Sequence, residues 1–358
     1  MKRVLCLLLS FSLLLCLAAC AAPSRPAPAE EELPEARHSN RRDEWEDTDP
    51  AETPAPETPP AETPGPPKDP GPVSPLMWKV SDGEGHTLYL FGTIHVGDER
   101  NLAVLEKIAP VLDSCDALAV EFDLVAYESD RERAARDLMQ YVLTDGTTIT
   151  DYMPKELYER AGALLMEAGL FPALFKGYNL AMWTQLVESA MTMVCSDLDT
   201  EQGMDRHLIL HAYDRGIPVL DVESAEFQMS LLNGFEDELY LLILEETLDG
   251  RDSYGEDIAA LYELWLSGDR DSFWDYLAGE EEGDGDEDYT GEQLAMIEDY
   301  TAKLLDERNL GMRDRAEEYL KSGQTVFFAV GAAHMANEVG LVRLLIEAGY
   351  TVEPYPYA

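Results

Sequence analysis

Two segments far apart in the chain share one pattern, an apolar strand-like run followed by Gly-x-x-His. The first, LYLFGTIH, ends at His95, and the second, VFFAVGAAH, ends at His334. Short apolar runs of this kind are typical of buried strands. Ligands of open α/β sheets bind beyond the carboxyl ends of the strands. If the two strands are parallel neighbours, both histidines lie at one edge of a sheet that is built from distant segments.

The rest of the ordered region supports an α/β (or α+β) fold. MWKV and TLYLFG flank the turn SDGEGH, a hairpin pattern, and ALAVEFD predicts a buried strand that ends in acidic residues. Between the ends of the domain, stretches such as LAMWTQLVESAMTMV carry apolar residues at helical spacing. We therefore expect one domain with a central mixed sheet, formed by N- and C-terminal segments, and a large helical insertion.

The N-terminus predicts export. Met1, Lys2 and Arg3 form a short basic start, and the apolar run VLCLLLSFSLLLCLAA follows. The run is shorter than the ~20 residues that span a bilayer, which is typical of a signal peptide. LAAC, which ends at Cys20, resembles a bacterial lipobox; the alternative is ordinary cleavage just beyond it. We expect residues 1–19 to be a lipoprotein signal peptide and Cys20 to be the lipidated residue.

Residues 20–75 are rich in Pro, Glu, Ala and Thr, as in DPAETPAPETPP. Such a composition buries too little apolar surface to fold, and a proline-rich chain extends by ~3 Å per residue. We expect a disordered tether that holds a domain of residues 76–358 outside the cytoplasm, anchored to the bacterial cell membrane by lipid.

The charge and the cysteines limit the partners further. The net charge of -45 repels phosphate backbones and makes nucleic-acid binding a poor hypothesis. Cys115 and Cys195 are the cysteines of the predicted domain, and an exported pair could form a disulfide, although their sequence positions do not decide this.

A carboxylate completes the pattern of the two histidines. Glu121 closes the run ALAV, as His95 and His334 follow their own runs. Two imidazoles and one carboxylate can form an open site for a divalent metal ion of unspecified identity, and a metal-bound water is a hydrolytic nucleophile. The alternative is that each histidine only caps a strand through a hydrogen bond.

A competing metal hypothesis is the segment HLILH. His207 and His211 lie one helical turn apart, but the zincin motif requires glutamate where this chain has Leu208. We interpret this segment as a partly exposed helix face.

Seven motifs in order make the chain similar to one family. They are FGTIHVGD, AVEFD, EQGMD, GIPVLDVES, LWLSGD, DERNLGM and VGAAHM, and the similarity runs from about residue 76 to residue 356. The chain resembles the TraB/GumN family (also called TraB/PrgY/GumN), to which the Tiki metalloproteases are related. The resemblance implies a divalent-metal-dependent hydrolase, with peptidase activity in the Tiki relatives, and it implies these site residues: His95, His334, Glu121, Arg308 and Glu223.

The resemblance leaves some roles open. Glu121 would be either a third metal ligand or the general base. Arg308 would stabilise an oxyanion, unless it forms a surface salt bridge. Glu223 follows Val222 where the family usually has leucine, and it would either orient a ligand histidine or be a helix N-terminal acid.

Two functions therefore remain. The first is an extracytoplasmic divalent-metal-dependent hydrolase that cleaves a peptide or protein substrate. The alternative is a non-catalytic surface protein that binds or sequesters a peptide or cofactor. A metal with an open coordination position favours the hydrolase.

Overall fold

Six short strands form a single mixed sheet in the computed structural model, which describes residues 73–278, 289–336 and 339–357. In space their order is β4-β3-β5-β2-β1-β6. The strands are β1 (Met77–Ser81), β2 (Thr87–Thr93), β3 (Ala117–Val120), β4 (Val219–Asp221), β5 (Val326–Gly331) and β6 (Thr351–Pro354).

The strand from the C-terminal part of the chain lies at the centre of the sheet. β5 pairs in parallel with β2, Leu88 opposite Val326 and Thr93 opposite Gly331. It also pairs in parallel with β3, which in turn pairs in parallel with β4. The β2 and β5 runs are apolar because helices cover parallel strands on both faces. Four strands therefore place their carboxyl ends along one edge, as expected for β2 and β5.

The other edge of the sheet is antiparallel. β1 and β2 form the expected hairpin, and β6 pairs with β1. In the turn, the Asp82 carboxylate accepts hydrogen bonds from the backbone N–H groups of Glu84 and His86, which holds the turn closed.

Helices occupy most of the chain between β3 and β5. The helices are α1 (Arg100–Leu112), α2 (Leu124–Ser129), α3 (Arg131–Leu138), α4 (Lys155–Glu167), α5 (Leu180–Cys195), α6 (Met204–Arg215), α7 (Ala225–Leu232), α8 (Asp237–Asp249), α9 (Arg251–Ser267), α10 (Arg270–Ala278), α11 (Gly291–Thr301), α12 (Glu307–Ser322), α13 (Ala333–Ala336) and α14 (Leu341–Glu347).

α5 is the centre of the helical layer. It packs against α4, α8 and α9, and nearly all of its residues are buried, including Trp183. This burial on every side explains why its sequence is hydrophobic all round rather than amphipathic. The protein is thus an α/β domain whose sheet is assembled from both ends of the ordered region, with a helical insertion between them.

A π-helical turn, Ala302–Asp306, connects α11 to α12. Such turns are rare and frequently occur at functional sites. This one ends two residues before Arg308, which Asn309 follows.

Cys115 and Cys195 are both free thiols, so the structure does not contain the disulfide that the sequence allowed.

Within the described residues, no helix has the length and apolar character needed to cross a bilayer. The predicted signal peptide, Cys20 and nearly all of the predicted tether lie outside the described residues.

Candidate functional site

His95 follows β2 at the carboxyl edge of the sheet. Its Nδ1 lies 2.6 Å from Oδ2 of Asp205, and Thr93 donates a hydrogen bond of 2.7 Å to the other oxygen of that carboxylate. Burial by itself would lower the pKa of His95, but the charge and hydrogen bond of Asp205 outweigh it, and the pKa is raised. The ring is therefore held by a carboxylate at Nδ1.

His334 lies on α13, just after β5, and is buried. Its Nδ1 is 2.7 Å from Oδ1 of Asn309, whose Nδ2 donates to the carbonyl of Val339 at 3.0 Å. Burial, reinforced by the positive charge of Arg308, lowers the pKa of His334 to about 3. The imidazole is thus neutral near pH 7, the state that a metal ligand requires.

Glu121 follows β3 and has both oxygens engaged. Oε1 accepts from the backbone N–H of Gly331 at 2.9 Å, and Oε2 accepts from Arg308 at 2.6 Å and from Gln228 at 2.8 Å. Burial opposes ionisation, but Arg308 and His334 lower the pKa of Glu121 far below its usual range. Oε1 lies 3.9 Å from Nε2 of His334, too far for a hydrogen bond.

Arg308 is buried between two carboxylates. Its Nη2 contacts Glu121 at 2.6 Å and Glu223 at 2.8 Å, its Nε donates to Glu223 at 3.0 Å, and Nη1 donates to the carbonyl of Leu304. With 8% of its surface exposed, Arg308 does not form the surface salt bridge that was the alternative. The π-helical turn supplies Leu304, so this turn helps to aim the guanidinium.

Glu223 lies at a helix N-terminus, the second of the two roles considered for it, and orients no histidine among the described residues. It immediately precedes Ser224, the N-cap of α7, and it also contacts Arg308. It reaches no histidine among the hydrogen bonds of the described residues; its second partner is Gln228, which donates to it at 2.8 Å. Gln228 thereby bridges Glu121 and Glu223.

The side chains of His95, Glu121 and His334 converge around Gly331. A Cβ placed on Gly331 would lie 3.3 Å from Oε1 of Glu121, 3.6 Å from Cδ2 of His334 and 3.8 Å from Nε2 of His95. Only glycine leaves the space between them open. The edge of the sheet thus presents, strand by strand, Glu223, Glu121, His334 and His95.

These residues could hold a divalent cation. Each histidine has Nδ1 engaged by an oxygen acceptor, the arrangement that orients Nε2 of a metal-binding histidine towards the metal. In addition, one guanidinium faces two buried carboxylates, which leaves one negative charge in excess. A further cation would balance that charge.

A tighter group of potential ligands lies elsewhere. Within the described ranges, one group of three residues has ligand atoms that all lie within 4.8 Å of one another. It consists of Asp82, Glu84 and His86 in the β1–β2 turn. The atoms of His95, Glu121 and His334 are set wider apart, so side-chain movements would accompany binding of an ion between all three.

The competing histidine pair does not form such a site. His211 is engaged by Asp113, with Nε2 2.7 Å from Oδ1, and His207 has its Nε2 buried without a hydrogen-bond partner among the described residues.

A cavity of about 670 Å³ lies beside Asp98 and Cys195, but none of the three converging residues lines it.

Sequence reasoning assigned no role to three residues of the site. Asp205 and Asn309 stand in the quoted motifs EQGMD and DERNLGM, so the motifs were the available signal. Gln228 lies in none of the motifs, and no local pattern distinguishes it.

The fold and the site define an α/β protein in which two Gly-x-x-His segments end neighbouring parallel strands around a buried Glu–Arg–Glu cluster. The chain belongs to the TraB/PrgY/gumN family, whose profile matches residues 76–354.

Two similar proteins are both called uncharacterized protein YbaP. The protein from Shigella flexneri is 24% identical over 267 residues, covering 74% of this chain and 89% of the relative. The protein from Escherichia coli (strain K12) is 23% identical over 261 residues, with coverage of 72% and 87%. No solved structure matches this chain.

Proposed function

We propose that this protein is an extracytoplasmic, divalent-metal-dependent hydrolase that cleaves peptide bonds. One observation carries the proposal: two imidazoles, each held at Nδ1 by an oxygen acceptor, converge with an ionised glutamate around Gly331. A bound divalent metal would supply an activated water and polarise a carbonyl group. His95, His334 and Glu121 are the residues that would hold it.

The contacts of Glu121 favour a role as ligand over a role as general base. Oε2 already accepts from Arg308 and Gln228, and protonation there would break a charge-assisted hydrogen bond. Oε1 accepts from one backbone N–H, so it retains a lone pair, and it lies 3.9 Å from Nε2 of His334.

Arg308 and Glu223 then act on the reaction through Glu121. Four of the donor contacts of Arg308 go to Glu121, Glu223 and Leu304. Among the described residues these contacts occupy four of its five N–H groups and leave one on Nη1 for an oxyanion, so its main role is to pair with the two glutamates. We therefore propose that Arg308 fixes and neutralises the carboxylates.

A library of peptides incubated with the purified protein, with and without a chelator, tests the activity. We expect metal-dependent cleavage by the wild type and loss of both metal and cleavage in His334→Ala. His211→Ala is the matched control, because it removes a histidine that pairs with an acidic residue outside the site. Tight binding of a peptide that is never cut under any divalent metal would instead support the surface binder.

The proposed location has a separate test. A fatty-acid probe should label the wild-type protein in bacteria and fail to label Cys20→Ser, since the lipobox-like sequence ends at that cysteine. Equal labelling of the two proteins would overturn the anchor at Cys20.

A further inference from the structure

Chemically different acceptors orient the two site histidines. His95 is held by a carboxylate, with Nδ1 2.6 Å from Asp205, and His334 by an amide, with Nδ1 2.7 Å from Asn309. A carboxylate can only accept, and the amide is oriented because its Nδ2 donates to Val339. When either ring is neutral, these partners therefore place its hydrogen on Nδ1 and its lone pair on Nε2.

Asp205 is itself fixed on two sides. Thr93 donates to its second oxygen at 2.7 Å, and only 6% of Asp205 is exposed. Its helix, α6, begins against the backbone of the site, since a Cβ on Gly203 would lie 2.5 Å from the carbonyl oxygen of His95. The strand end, His95 and Asp205 consequently form one rigid unit.

We propose, on the basis of the metal centre proposed above, that Asp205 is a positioning residue that makes His95 the stronger of the two imidazole donors. An imidazole whose N–H donates to an anionic acceptor is a better electron donor at its other nitrogen than one whose N–H donates to a neutral amide. Asn309 leaves His334 the weaker donor. His95 would then hold a bound divalent ion more strongly than His334 would.

Exchanging the two acceptors tests this asymmetry. Asp205→Asn preserves an oxygen acceptor but removes the charge, and Asn309→Asp does the reverse at the other histidine. Affinity for Zn²⁺, measured by chelator competition on the full-length protein, should fall about 10- to 100-fold in Asp205→Asn. It should rise, or at least not fall, in Asn309→Asp. In the double variant we expect it to recover towards the wild-type value.

The chain offers a matched control for the loss of charge. Asp113→Asn alters a carboxylate that also contacts a histidine, His211, at 2.7 Å but lies outside the site, and should leave Zn²⁺ affinity unchanged. Thr93→Val removes only the donor behind Asp205 and should give a smaller loss of affinity; it also serves if Asp205→Asn fails to fold. Equal Zn²⁺ affinity of the wild type and the folded variants at Asp205 and Thr93 would overturn the proposal.

A second measurement separates this role from the proposed activity. At about pH 9, above the usual titration range of imidazole, ¹⁵N NMR of the metal-free protein should show His95 with its hydrogen on Nδ1. Asp205→Asn should weaken that preference. A hydrogen on Nε2 in the wild type would overturn the role of Asp205, whatever the protein cleaves. If Asp205→Asn lowers the affinity for Zn²⁺ while the wild-type protein cuts no peptide, the positioning role of Asp205 stands and the proposed hydrolase activity fails.

Discussion

The buried glutamate side chains of this protein differ in whether a cation or a hydrogen-bond donor lies beside them. Arg308 shares its hydrogen bonds with Glu121 and Glu223, and its charge lowers the pKa of Glu121. Glu188 on α5, in contrast, is 3% exposed, and neither of its oxygens has a hydrogen-bond partner among the described residues. Burial therefore raises the pKa of Glu188 well above its usual value. The same residue type is thus a stable anion in the site and a strained group in the helical layer.

Glu188→Gln should increase the free energy of unfolding relative to the wild type, and this gain should grow as the pH rises. A carboxyl group whose pKa is raised by folding favours the native state below its unfolded pKa, about 4.3, and loses that contribution as the pH rises through its folded pKa. Urea unfolding should show little gain below about pH 4 and a gain of at least about 1 kcal/mol at pH 8. Glu245→Gln, on an exposed part of α8, is the control. A gain that shrinks with rising pH would contradict the expected sign.

Arg308→Ala should be strongly destabilising. The change leaves Glu121 and Glu223 buried without their cation, and breaking a buried pair costs about 3–5 kcal/mol. Because a bound divalent cation would replace part of the lost charge, Zn²⁺ should reduce the loss. Urea unfolding with and without the metal measures both effects. Arg251→Ala, which breaks a more exposed pair with Glu167, should cost no more than about 1 kcal/mol.

At the scale of elements, two features build the site. The parallel pairing of β5 with β2 and β3 places Gly331 level with Thr93 and next to Glu121. The π-helical turn before α12 provides Leu304 to Arg308, while Asn309 on the same helix reaches His334. A sheet edge and one helix start thus supply many of the polar contacts, to which α6 adds Asp205 and α7 adds Gln228.

Gly331→Ala should therefore impair the site more than the fold. The added methyl group would lie 3.3 Å from Oε1 of Glu121, in the space that the three converging side chains face. We expect metal affinity and peptide cleavage to fall at least about tenfold, by analogy with changes next to metal ligands. Gly311→Ala on α12 is a control with open space around its Cβ; replacing a helical glycine should stabilise by up to about 1 kcal/mol. Unchanged Zn²⁺ affinity in Gly331→Ala would contradict the proposed position of the metal.

At the scale of the whole molecule, the two ends of the domain are interdependent. β5 lies between β3 and β2, so the N-terminal strands are not continuous without it. The described residues belong to one compact unit, and the helical insertion is packed on a sheet that the C-terminal residues complete. Folding should consequently be cooperative across the domain.

A chain truncated after residue 324 should fail to fold, because it lacks the central strand. Circular dichroism and thermal unfolding would show no cooperative transition. Deletion of residues 1–72 is the complementary control and should leave the unfolding temperature nearly unchanged, since residues 1–19 are the predicted signal peptide and the composition of residues 20–72 buries little apolar surface. A cooperative transition in the C-terminal truncation would refute the central role of β5.

The sequence by itself predicted the strands before His95, Glu121 and His334, the β1–β2 hairpin and the helical insertion, because hydrophobic periodicity and glycine positions are local signals. The pairing of β2 with β5 followed from it only as a condition, which the structure meets. The sequence also placed His95, Glu121 and His334 after strands, and a shared sheet edge followed from the ordinary geometry of parallel strands. Only the tertiary structure decided the partners of those residues. Asp205, Asn309 and Gln228 come from helices whose approach to the sheet depends on packing, and a hydrogen bond across such a distance leaves no periodic trace in the chain. The same packing buried Arg308 with two carboxylates and kept Cys115 and Cys195 unpaired.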